Sequence, residues 1–250
     1  MQRGIAGTLS SPRLGGIAVL AGLAGGCLAN GGDESIIVLK NVVPTATATS
    51  CMVTSTESET ALAGGALDVS VGRGYEFIAQ IKSRITADPG AELQRTIFVH
   101  GANVDITFPN STLFSDAEFA DLKAKALTHF MSPFSGFLAP NGGITDVFLQ
   151  LIPPELGAAI MAKPNFASVL ALGSFKVIGD LAGGEVTSQL FQYPISITNG
   201  GLVHDEGLCS LLPATFTPRT GNPCNPGQDG VTDCCTDAGG RVCPAVGTKM

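Results

Sequence analysis

Apolar and polar side chains alternate with a period of two through much of this 250-residue chain, and that rhythm limits what it can fold into more than any motif does. Leu67, Val69 and Val71 are separated by Asp68 and Ser70, and Tyr75, Phe77, Ala79 and Ile81 alternate with a series containing Glu76, Gln80 and Lys82. A strand turns successive side chains to opposite faces, so each run predicts a strand with one face in a core and one in water. Gly72-Arg73-Gly74 between them predicts a hairpin turn. The run Ile36-Ile37-Val38-Leu39 predicts a strand apolar on both faces.

Further along, Ile97 and Val99 lie on one phase and Ala102, Val104, Ile106 and Phe108 on the other, with the switch at His100-Gly101. One inserted residue there keeps both halves facing one core, which predicts a β-bulge accommodated by the glycine. Strands are also predicted over 145–151, 169–178 and 186–198, the last with Pro194 at an edge because proline cannot donate a ladder hydrogen bond. Two short helices interrupt the pattern. One opens on the capping box Ser115-Asp116-Ala117-Glu118 and carries Phe119, Leu122, Ala126, Leu127 and Phe130 as an apolar stripe. The other follows Pro153-Pro154 and runs from Glu155 to Ala162.

About seven strands and two short helices predict an all-β protein, a two-sheet β-sandwich of immunoglobulin-like or related Greek-key topology, over residues 35–207. From residue 208 to 250 the alternation gives way to a disulfide-rich C-terminal tail, crowded with Cys, Pro and Gly, that cannot bury much apolar surface and needs covalent bridges.

The N-terminus reads as an export signal. Arg3 and Arg13 precede the apolar run Leu14–Leu23, which is too short to span a bilayer, and small residues then lead to Cys27. Ala24-Gly25-Gly26-Cys27 resembles the bacterial lipoprotein signal, in which such a box precedes a cysteine that receives diacylglycerol, although Leu23 stands one place further out than that family prefers. The resemblance implies a signal peptide over 1–26, a lipid on Cys27, a flexible tether over 27–34, and, because Leu28 is not aspartate, an outer-membrane address. The alternative is ordinary signal-peptidase cleavage after Ala29. Signal, GALDVSVGRGYEF segment, GGEVTSQLFQYPISI strand and CNPGQDGVTDCC tail together resemble lipoproteins of the myxobacterial type, a likeness of pattern that implies an address and a fold but no activity.

Seven cysteines are an awkward number in an oxidising compartment unless one of them is consumed by the lipid. Setting Cys27 aside leaves Cys51, Cys209, Cys224, Cys234, Cys235 and Cys243, enough for three bridges whose pairing the sequence leaves open. Adjacent Cys234 and Cys235 are expected to take different partners. A zinc knuckle is the rival reading, but the paired short C-x2-C spacings that hold one are missing. Removing residues 1–26 takes away two arginines, leaving 12 basic against 21 acidic side chains and a formal charge of −9. Such a surface repels phosphate backbones, so nucleic acid is not an expected partner.

Nucleophile-elbow, zinc-protease, phosphate-loop and haem-attachment motifs are all missing from the sequence. Its three histidines are His100, His129 and His204, and only the last, followed by Asp205 and Glu206, stands in a titratable cluster; an exposed turn accounts for that cluster without invoking catalysis. Asn225, Asp229, Asp233 and Asp237 recur every four residues and resemble a calcium loop, but Gly227 occupies the third position and Thr236 the twelfth, where such loops place acids. The reading is a non-catalytic, lipid-anchored module that binds the membrane through Cys27 and another envelope protein through its faces, with no cofactor required. A small-ligand or lipid binder, and then an envelope hydrolase, are the alternatives.

Overall fold

A computed structural model describes residues 34–46, 51–53, 61–109, 111–222 and 224–244. The expected signal peptide, Cys27, the tether up to residue 33 and the side chain of Cys51 lie outside the described residues. Strands follow one another as β1 (Glu34–Val42), the two-residue pieces β2 (Thr45–Ala46), β3 (Cys51–Met52) and β4 (Ala61–Leu62), then β5 (Gly65–Asp68), β6 (Tyr75–Ser83) and β7 (Ile97–Thr107). Helix α1 (Asp116–Ala124) leads to β8 (His129–Leu138) and β9 (Ile144–Ile152), and α2 (Pro154–Met161) to β10 (Ser168–Leu181), β11 (Gly184–Ser188) and β12 (Phe191–Thr198). The C-terminal part adds β13 (Val203–Leu208), β14 (Thr232–Asp237) and β15 (Gly240–Val242).

The protein is an all-β sandwich, with α1 and α2 its two short helices. One layer runs β5-β12-β10-β7-β8 and the other β11-β1-β6-β9, and a continuous ladder links them because the long strand β10 bonds β12 with its first half and β11 with its last residues. The sheet therefore folds over onto itself at β10–β11. Two pairings, β1 with β11 and β12 with β5, are parallel. Ring contacts hold the layers together. Phe77 of β6 meets Phe175 of β10 at 5.1 Å, Tyr193 of β12 at 4.8 Å and Phe191 at 5.7 Å, each edge to face, the geometry that aligns a positive ring edge with a negative face. In a chain without tryptophan these rings form the centre of the core.

The bulge expected at His100-Gly101 is present. Register shifts fall between Val99 and Gly101 against β8 and between Ile178 and Gly179 against β10, and Ile97, Val99, Ala102, Val104 and Ile106 are all buried. Glycine leaves room there, since a Cβ on Gly101 would lie 3.0 Å from the Ser132 carbonyl and 2.6 Å from the methyl at the flexible end of the exposed Met131 side chain. The Ser115/Glu118 capping box is also formed and starts α1.

Other expectations fail for physical reasons. Gly72-Arg73-Gly74 is not a hairpin, because β5 pairs with β12 and β6 with β1 and β9, so this loop crosses between layers. Helix α1 ends at Ala124; Ala126 takes a positive φ and turns the chain, and His129 and Phe130 open β8, a strand whose alternation the helical stripe obscured. The stretch 186–198 is two strands rather than one. Pro194 lies opposite Leu172 of β10, at the place where pairing with β5 has not yet begun, so its missing N–H leaves no rung unmade on that side.

Asp68 and Gln80 do not face water. Gln80 is fully buried, and its amide reaches Asp146 at 3.3 Å. Asp68 is equally buried, and its carboxylate accepts from the Ser70 N–H and hydroxyl and from the N–H groups of Gly200 and Leu202, stapling the turn after β12 to β5. Phe77→Ala, which removes the ring shared by both layers, is expected to cost about 3–5 kcal/mol in denaturant melts, against less than about 0.5 kcal/mol for Leu211→Ala on the surface.

Candidate functional site

The tail's sheet begins earlier than residue 208. β13 runs parallel to β14, with His204 opposite Asp233, and β15 pairs on the other side of β14. Cys209 bonds Cys235 and Cys234 bonds Cys243, and Cys224 is also disulfide-bonded. Neighbouring residues of a strand face opposite ways, which is why Cys234 and Cys235 take different partners, as expected.

The tail is not merely a cross-linked appendage. Residues 227–229 lie along the otherwise bare edge of β5: the Asp68 N–H donates to the Gly227 carbonyl at 2.7 Å, the Asp229 N–H to the Ala66 carbonyl at 2.8 Å, and the Ala66 N–H to the Asp229 carboxylate at 2.8 Å. Across the gap, β1 pairs with β6 only from Ala79 onward. Side-chain amides complete the remainder of that edge. Gln228 accepts from the Glu76 N–H and donates to the Glu76 carbonyl, at 3.0 and 2.7 Å, while Asn41 accepts from the Ile78 N–H at 3.1 Å. Segment 225–229 thus closes the seam between the two layers.

A buried hydroxyl network secures that closure. Asn41 Nδ2 donates to the hydroxyls of Tyr75 and Tyr193, at 3.2 and 2.9 Å; the two hydroxyls are 3.2 Å apart, and Tyr75 donates to the Asp229 carboxylate at 2.9 Å. Gly65 has to be glycine here, since a Cβ would stand 2.5 Å from the Tyr75 ring. Burial pushes the Asp229 carboxyl above its ordinary value, against the opposing pull of donors from Ala66, Gln228 and Tyr75. Burial, reinforced by the charge of Asp229, raises the Tyr75 hydroxyl as well.

These bonds show where the calcium candidates stand. Asn225 donates to the Gln228 side chain at 2.7 Å, Asp229 receives Tyr75, Asp233 is held by Arg219, and Asp237 accepts from the N–H of Gly239. The structure engages the four separately. Among the described residues, Asp229, Asp233 and Asp237 form no group that could share an ion. Sequence reasoning missed Gln228 and Asn41 altogether, and the signal it could have used is two amides of opposite ends of the chain flanking aromatic strands.

The histidines are dispersed. His100 lies 3.4 Å from Asp180, His129 2.6 Å from Asp105, and His204, in strand β13 rather than a turn, 2.8 Å from Glu206. Each is half-exposed beside a carboxylate. The larger surface feature is apolar. β8 turns Met131, Pro133 and Phe137 outward, Phe98 of β7 lies directly opposite Phe137, and Phe148 of β9 joins Met131 along a groove of about 330 Å³. Phe137 is 65% and Phe98 55% exposed, values far from those of core phenylalanines such as Phe77 at 0%. Among the described residues β8 pairs only with β7, and β9 only with β6; the Gln150 N–H donates to the Ser132 hydroxyl at 2.9 Å and joins the two edges. Pro133 lacks a donor, which blunts β8 as a template for strand addition.

Comparison with protein-family models and with curated proteins finds no match for this chain. No helix among the described residues is long and apolar enough to cross a membrane.

The raised carboxyl of Asp229 gives a signed prediction. A group whose value is higher in the folded than in the unfolded protein contributes its full stabilisation below the ordinary carboxylate range and loses it as pH rises through the folded value. Asp229→Asn cannot titrate. The stability of the wild type relative to this variant, from denaturant melts across the acidic range, is therefore expected to fall as pH rises through that window and to level off above it.

Proposed function

We propose that this chain is an exported, lipid-anchored envelope protein that acts without catalysis, docking another envelope protein on the outward aromatic row of β7, β8 and β9. The observation that carries this reading is two exposed apolar groups, Phe98 opposite Phe137 on β7 and β8, and Met131 with Phe148 along the groove between β8 and β9. Large apolar side chains gathered on one face are a common basis for protein association, where aromatic residues and methionine are enriched. The anchor is argued from the sequence ahead of residue 34, and cysteine arithmetic supports it: with two bridges made and Cys224 bonded, Cys27 and Cys51 remain, and a lipid on Cys27 assigns Cys51 to Cys224.

A small-ligand function has less to rest on, since the rings of Phe77, Phe175 and Tyr193 fill the space between the layers and the larger grooves are open clefts around α1. Crosslinking in intact cells followed by mass spectrometry tests the docking reading. The wild type is expected to recover one partner near stoichiometrically, Phe98→Ser/Phe137→Ser to lose it while remaining folded, and Cys27→Ala to move to the soluble fraction. Equal recovery of partner by the serine variant would overturn the role of the aromatic row, and persistent membrane association of Cys27→Ala would overturn the lipid anchor.

A further inference from the structure

We propose that His204, Glu206 and Asp233 form a binding site for a single Zn2+ ion on the tail's sheet. Strand geometry gathers them: His204 and Glu206 are two apart on β13 and so share a face, and Asp233 of β14 stands opposite His204 in the parallel register. The His204 Nδ1 lies 2.8 Å from Glu206 Oε1 and 3.5 Å from Asp233 Oδ1, and the three donor atoms all fall within 4.8 Å of one another. Ligands at about 2.0–2.1 Å around a tetrahedral zinc are about 3.3 Å apart, so both separations from His204 already suit an ion, and the two carboxylate oxygens, within 4.8 Å of each other, would draw together on it. One imidazole nitrogen and two carboxylate oxygens are a donor set that suits zinc and leaves a fourth position for water, whereas calcium takes six to eight oxygens.

Two features pre-organise the site. Asp233 is only 3% exposed, and the strand that carries it is braced through the next two residues by Cys234–Cys243 and Cys209–Cys235. One feature opposes the ion. The Arg219 guanidinium contacts Asp233 Oδ1 through Nε at 2.8 Å and Nη2 at 2.5 Å, holding that carboxyl below the usual range, while the Arg219 backbone N–H donates to Oδ2 at 2.7 Å. Two carboxylates against one guanidinium still leave a negative charge for a dication. The Arg219 side chain is 56% exposed and can turn to solvent as zinc takes Oδ1, with the backbone bond to Oδ2 kept. Arg219 therefore acts as a competitor that weakens the site without abolishing it.

Titration of the full, disulfide-intact chain with Zn2+ against a chromophoric chelator tests the site. The wild type is expected to bind one equivalent, and His204→Ala and Glu206→Gln to lose roughly ten-fold or more in affinity, the least expected when a metal ligand or its support is removed. Arg219→Ala is expected to tighten binding, and His100→Ala and His129→Ala to leave it unchanged. Zinc should raise the melting temperature of the wild type but not of His204→Ala, which locates binding at this site in the folded protein. Absence of saturable binding by the wild type, undiminished affinity in His204→Ala, or weaker binding in Arg219→Ala would overturn the proposal.

Discussion

The hydrogen bond from the buried Tyr75 hydroxyl to Asp229 joins the first aromatic strand of the sandwich to a segment more than 150 residues later, and the closed form of the sheet depends on it. A sandwich whose edges end in unpaired backbone is open both to water and to foreign strands. Here β5 is short and β6 outruns its partner β1, leaving N–H and C=O groups without strand partners on both sides of one seam. The tail fills that seam with the backbone of Gly227 and Asp229 on one side and the amide of Gln228 on the other, and Asn41 completes the next rung. Asp229 itself sits at φ +54°, a left-handed conformation that aspartate tolerates better than most residues. Disulfides at Cys209, Cys224, Cys234, Cys235 and Cys243 keep the segment close to the seam.

Much of this fold was legible because period two is a local property. Tyr75, Phe77, Ala79 and Ile81 announce the buried face of β6, and the phase switch at His100-Gly101 announces a bulge, since both follow from the pleat of one strand. What stayed hidden is set by distant partners. Nothing near Asp68 reveals that the N–H groups of Gly200 and Leu202 will satisfy its carboxylate inside the protein. The crossing of Gly72–Gly74 between layers depends on which strands pair, and β8 was masked by a stripe that also fits a helix. The site was less legible than the fold: Asp229 and Asp233 read as members of one acidic repeat, yet one is a plug under Tyr75 and the other a partner of Arg219.

The same architecture separates the surfaces available for function. The Asp229 seam is consumed by structure, so its polar residues are unavailable to a ligand. The exposed rings of β7, β8 and β9 and the carboxylate–histidine group of β13 and β14 lie away from it, one apolar and one charged. A protein partner on the first and an ion on the second would draw on different physics, burial of ring area in one case and charge neutralisation in the other.

Native-state amide hydrogen exchange of the wild type and Gln228→Ala tests most directly the claim that the tail completes the sandwich. Closure of the seam predicts protected amides at Ala66, Asp68 and Glu76 in the wild type, and faster exchange at all three in the variant, with β7 and β10 unaffected. Unchanged protection at these amides in Gln228→Ala, or their rapid exchange already in the wild type, would contradict it.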